Sequence, residues 1–168
     1  MFLSGQSSSK NSYSSILTVD SDFFINENFS AFISLTGMRA EPYENFSFIN
    51  IRSDSSFLTS TNLSIHGKDI FNKKDRFRLD YLVPLSIEKG TADLQFISGR
   101  DYFGNSTVGT VKVNLAPAHR ERVFSANYSS PINDYSEFGL KLFLVENLNN
   151  IKAESQANLT FYLRLKIK

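Results

Sequence analysis

The side chains able to do chemistry are few and scattered. Histidine occurs twice, at His66 and His119, each beside a predicted turn and with no carboxylate or second histidine at metal-ligand spacing. Both read as surface residues, and no metal ligand is assigned. Cysteine is absent, which removes thiolate zinc sites, disulfides and cysteine nucleophiles. Serine is plentiful, 24 of 168 residues, so a Ser/His/Asp set can be nominated by chance and carries weight only with a nucleophile motif. No G-x-S-x-G, Walker loop, dinucleotide fingerprint, H-E-x-x-H or EF-hand loop occurs, and Gly99-Arg100-Asp101 reads as a turn. The sequence assigns no catalytic residue, no cofactor-binding residue, no cofactor and no metal site. The expectation is a chain without enzymatic activity.

Four weaker signals remain. Lys73-Lys74-Asp75-Arg76-Phe77-Arg78 could meet a phosphate or a lipid headgroup, but reads better as a hairpin tip running into a strand whose polar face carries Arg76 and Arg78. Ala116 to Arg122 likewise reads as a turn opening a polar-faced strand. Aromatics in predicted loops, Tyr43, Tyr102 with Phe103, and Tyr135, are the only support for glycan binding. Six N-x-S/T triplets start at Asn28, Asn45, Asn62, Asn105, Asn127 and Asn158; four have Phe or Leu in the middle and one has Tyr. That is the alternation a strand with a Ser/Asn face produces anyway.

The elements that position these residues follow from a period of two. Phe29, Ala31, Ile33 and Leu35 alternate with Ser30, Phe32, Ser34 and Thr36, and Phe77, Leu79, Tyr81 and Val83 with Arg76, Arg78, Asp80 and Leu82. The pattern returns in Phe138, Leu140, Leu142 and Leu144, and in Leu159, Phe161, Leu163, Leu165 and Ile167. Successive strand side chains point to opposite faces, so each run is a strand with one apolar face. Weaker versions occupy 14–20, 46–52, 57–66, 91–98, 107–115 and 120–130, for about ten strands in all. Turn signals at short intervals join them, among them His66-Gly67-Lys68-Asp69, Glu88-Lys89-Gly90 and Asn147-Leu148-Asn149-Asn150. Such spacing suits antiparallel hairpins rather than crossovers.

The fold expected is all-β, an antiparallel meander forming a β-barrel or strongly curled sheet. Strands of eight to eleven residues match the roughly 9 to 11 that cross a bilayer at a tilt, and closure would leave no edges. Residues 1–12 read as a flexible Ser-rich lead-in and 13–168 as a single β domain. A net charge of +1, with 41% hydrophobic and 21% charged residues, gives no field for nucleic acid. The start lacks the basic and apolar regions of a signal peptide, and no apolar run reaches the roughly 20 residues of a spanning helix. A cytosolic protein or a piece of a longer exported chain would both fit.

From 75 to 168 the residues resemble a known family. Asp75-Arg76-Phe77-Arg78-Leu79, Pro84-Leu85-Ser86-Ile87-Glu88-Lys89-Gly90, Leu115-Ala116-Pro117-Ala118-His119-Arg120-Glu121, Tyr128-Ser129-Ser130-Pro131 and Phe138-Gly139-Leu140-Lys141-Leu142 resemble the C-terminal region of secreted subtilisin-like (S8) serine peptidases of Gram-negative bacteria. The family's catalytic motifs are absent here, so the resemblance implies a non-catalytic part. In autotransporter-like members that part is similar to an outer-membrane barrel. The implied role is anchor or translocator at the outer membrane or cell surface, with outer-membrane lipid or its assembly machinery and an upstream peptidase passenger as partners. The alternative is a soluble, secreted β-sandwich serving as accessory or interaction module of such a peptidase, with surface or glycan binding as a further option.

Overall fold

The computed structural model describes residues 14–45 and 50–165. The Ser-rich lead-in, residues 46–49 of the strand expected over 46–52, and Lys166, Ile167 and Lys168 at the end of the last apolar stripe lie outside the described residues. Eleven strands are present: β1 Ser14–Phe24, β2 Phe29–Ala40, β3 Tyr43–Asn45, β4 Asn50–Ser53, β5 Ser56–Lys68, β6 Arg76–Lys89, β7 Thr91–Arg100, β8 Ser106–Asn114, β9 Arg122–Asn133, β10 Ser136–Glu146 and β11 Ser155–Leu165. The only helical element among the described residues is a 3-10 turn, Leu148–Asn150. No helix there is long and apolar enough to cross a membrane.

The strands form a seven-stranded sheet, β1-β2-β5-β6-β9-β10-β11, and a four-stranded sheet, β3-β4-β7-β8. Pairing is antiparallel, as the hairpin spacing predicts. Each strand at the ends of the seven-stranded order has one neighbour, and β1 does not pair with β11. The expected barrel or strongly curled sheet is therefore corrected: the sheet is open, with two edges. The physical reason is that alternation reports only that one face is apolar, a condition barrels and open sheets share. An outer-membrane anchor or translocator loses with this the closed wall it required.

The described residues fall into two compact units, one of 14–17, 37–45, 50–58 and 87–117, the other of 18–36, 59–86 and 118–165. The four-stranded sheet belongs wholly to the first. There Asp54 Oδ2 accepts from Thr91 Oγ1 at 2.6 Å, tying the start of β7 to the turn before β5. In the β7–β8 hairpin, Asp101 Oδ1 accepts from the Asn105 amide at 2.7 Å and Oδ2 from Asn105 Nδ2 at 2.8 Å. These bonds hold the Asp101 carboxyl below the usual aspartate range. Gly104, at φ 84°, closes the turn in a conformation that suits glycine.

In the second unit the register sorts the side chains into two faces. Phe77, Leu79 and Tyr81 on β6 oppose Tyr128, Ala126 and Phe124 on β9. Those three oppose Leu140, Leu142 and Leu144 on β10, and Leu140 and Leu142 oppose Phe161 and Leu159 on β11. Directly opposed residues share a face, so one side of the sheet is a continuous apolar surface. On the other side run three rows, Asp80–Ser125–Phe143–Asn158, Arg78–Asn127–Lys141–Thr160 and Arg76–Ser129–Gly139–Tyr162. Phe77, Leu79, Tyr81, Phe138, Leu140, Leu142, Leu144, Leu159, Phe161 and Leu163 share one face, as the alternation predicts, while Arg122 and Glu146 fall on that face too and Leu82, Val123, Phe143 and Val145 on the other.

Little of the apolar surface is covered. Among the described residues the only fully buried hydrophobic side chains are Ala92, 4% exposed, and Val145, 3% exposed.

Candidate functional site

The best-formed feature on the apolar face is an open depression of about 580 Å³ lined by Ala31, Ile33, Leu63, Leu79, Phe124 and Leu142, among others. The Tyr81 and Phe124 rings pack beside it with centroids 4.9 Å apart. Around it Val19, Leu35, Ile65, Phe138, Leu159, Phe161, Leu163 and Leu165 are exposed. The only charged residues at the face positions of β6, β9, β10 and β11 within the paired segments are Arg122 and Glu146, directly opposed at one end.

One end of this face is set by the β5–β6 hairpin. Asp75 has no exposed surface. Its carboxylate accepts from the backbone amides of Ile70 at 2.7 Å, Phe71 at 2.9 Å and Asn72 at 3.0 Å, and from the Tyr128 hydroxyl at 3.1 Å. Burial alone would raise its pKa, but these four donors outweigh it and hold the carboxyl below the usual aspartate range. A second aspartate, Asp69, accepts from the Lys74 amide, and Asp69 and Lys74 both take left-handed backbone angles. The hairpin thereby places the exposed Phe71 ring edge-on to Tyr128, with centroids 5.8 Å apart, and extends the apolar surface.

The polar face is organised by a second carboxylate. Asp80 Oδ1 accepts from Ser64 Oγ at 2.5 Å and Arg78 Nε at 2.7 Å, and Oδ2 from Ser125 Oγ at 2.9 Å. This clamp joins β5, β6 and β9. Burial would raise the Asp80 pKa; the Ser64, Arg78 and Ser125 donors and the Arg78 charge together hold it down. Nearer the β5–β6 hairpin lies a hollow of about 420 Å³ lined by His66, Lys68, Arg76, Arg78, Asn127 and Tyr162, with Ser129 beside them. The Tyr162 ring that lines it lies so closely over Gly139 that a Cβ there would collide with it.

The sequence-nominated residues disperse in the structure. His66 is on β5 and His119 in the β8–β9 connection. No cluster of three or more His, Asp or Glu among the described residues could hold a metal. Arg76 and Arg78 do stand on the polar face of a strand after a hairpin tip, as expected, but they also line the hollow. His66 is more than a surface residue, since its Nε2 is buried without a protein hydrogen-bond partner. Tyr102, at 99% exposure, and Phe103 form an edge-on pair in the β7–β8 hairpin, centroids 5.8 Å apart. Tyr135 is exposed in the β9–β10 turn, and nothing is described of the Tyr43 side chain. The Asp75 lock and the Gly139–Tyr162 contact escaped sequence reasoning; the N-K-K-D run at 72–75 was their nearest signal.

Comparison with known proteins gives no relative: no family model matches the chain, and neither does any curated protein or solved structure.

Proposed function

We propose that the chain is a non-catalytic interaction module that packs its apolar sheet face against the same face of a second copy, completing a two-sheet sandwich. The observation that carries this reading is the uncovered apolar surface of the seven-stranded sheet. Val19, Leu35, Leu63, Leu79, Leu142, Leu159, Phe161 and Leu163 are each 38% exposed or more. With their neighbours, at roughly 150–250 Å² per large side chain, such residues leave on the order of 1,000 Å² of apolar surface in water. A monomer's largest apolar patch is usually about 300–600 Å², and a standard interface takes about 800 Å² from each partner.

A second copy suits this surface for two reasons. Within the paired segments the only charges on this face are Arg122 and Glu146, directly opposed at one end and of opposite sign, and the net charge of +1 supplies little repulsion between copies. Sheet faces also pack at about 10 Å with their strands near alignment, which a two-fold operator provides without further structure.

Sedimentation of the full chain tests the reading. The wild type should sediment as a concentration-dependent dimer, and Leu142→Arg, placing a charge in the middle of the buried patch, should yield a monomer with an unchanged β circular-dichroism spectrum. A wild type that stays monomeric and folded at high micromolar concentration would overturn it.

A further inference from the structure

The polar side of the same sheet carries an independent feature. The hollow beside the β5–β6 hairpin is lined by four basic side chains, His66, Lys68, Arg76 and Arg78, and by no acidic one. Arg78 is engaged by Asp80 at 2.7 Å. The guanidinium of Arg76 and the ammonium of Lys68 have no acceptor among the described residues. Two uncompensated cations thus converge on one concavity in a chain that is otherwise nearly neutral. The cross-sheet row Arg76–Ser129–Gly139–Tyr162 sets a guanidinium, a hydroxyl and a phenol in line. Gly139 lets the Tyr162 ring lie flat against the sheet in this row, where a larger residue would displace it.

We infer that this hollow binds the phosphate or sulfate group of a small ester, with Arg76 and Lys68 as counter-charges and Ser129 and Tyr162 as hydrogen-bond donors. A guanidinium presents paired N–H groups matched to two oxygens of such a group, and the ammonium adds a point charge. The volume of about 420 Å³ accommodates an ester of monosaccharide size, since small-ligand sites span roughly 300–1,000 Å³. The site lies on the face opposite the one proposed for self-association, so the two readings stand or fall separately.

Calorimetric titration of the full chain at constant chloride-adjusted ionic strength tests the inference, with inorganic phosphate, glucose 6-phosphate and glucose 6-sulfate as probes. Saturable binding is expected, tighter for an ester than for inorganic phosphate. Arg76→Ala and Lys68→Ala should each weaken it by about tenfold or more, and Lys152→Ala, on the β10–β11 turn, should leave it unchanged. Arg76 and Lys68 are exposed, so their removal should leave the melting temperature near that of the wild type. Binding of either ester alone supports the site and identifies which group it takes. Absence of saturable binding by all three probes, or binding that Arg76→Ala leaves intact, would overturn the inference.

Discussion

Asp75 concentrates more hydrogen bonds than any other side chain described, three from backbone amides and one from Tyr128. Its folded pKa is lowered, so its contribution to stability is complete above the unfolded aspartate value of about 4 and is lost as pH falls through the lower folded value. Asp75→Asn should lower Tm at pH 7 by about 5 °C or more, because an amide cannot accept all four bonds. It should also flatten the acid limb of the Tm–pH curve below pH 4. An acid limb identical to the wild type's would show that the carboxylate does not hold the hairpin. Ser64, 2% exposed, should cost about 1 kcal/mol on conversion to alanine through the lost bond to Asp80. At Gly139 a methyl group meets the Tyr162 ring. Gly139→Ala should therefore destabilise by about 1–3 kcal/mol, and Tyr162→Ala in the same chain should recover part of that loss, as measured by a double-mutant cycle in denaturant.

At the scale of elements, the two edges of the seven-stranded sheet differ. β1 carries Asp20 and Asp22, charges that discourage further strand pairing, whereas β11 carries Arg164 as its only charge. Amide hydrogen exchange should be slowest in β6, β9 and β10, which have neighbours on both sides, and fastest in β1 and β11. Protection in β11 equal to that in β9 would mean that its free edge is occupied in solution. The alternation of Phe77, Leu79 and Tyr81 against Arg76, Arg78 and Asp80 made the faces legible from residue types alone, because a strand has one period and two sides. Closure was not legible, because whether β1 meets β11 depends on twist accumulated over seven strands rather than on any one of them. Strand length misled in the same way: β1, β2, β5 and β6 each contribute residues to both compact units, which lengthens them without reference to a bilayer. The hollow was missed because His66 and Tyr162 are nearly a hundred residues apart in sequence and come together only through four strand pairings.

For the molecule as a whole, the decisive quantity is apolar surface left in water. Folding of the described residues buries two hydrophobic side chains fully, and the exposed face of the larger sheet exceeds what a solitary monomer usually presents. Face-to-face association removes that surface without altering the sheet, and it should make thermal stability rise with protein concentration. A Tm independent of concentration over two decades would be inconsistent with coupled association. The most direct measurement uses the absence of tryptophan from the chain, which makes a single Leu142→Trp substitution a clean reporter at the centre of the face. Leu142 is 45% exposed within one copy. The emission should be blue-shifted and shielded from iodide at high protein concentration, moving to the red and becoming quenchable on dilution while the circular-dichroism spectrum stays β. Emission that is red and iodide-accessible at every concentration, in a folded chain, would contradict the claim that this face is covered by its counterpart.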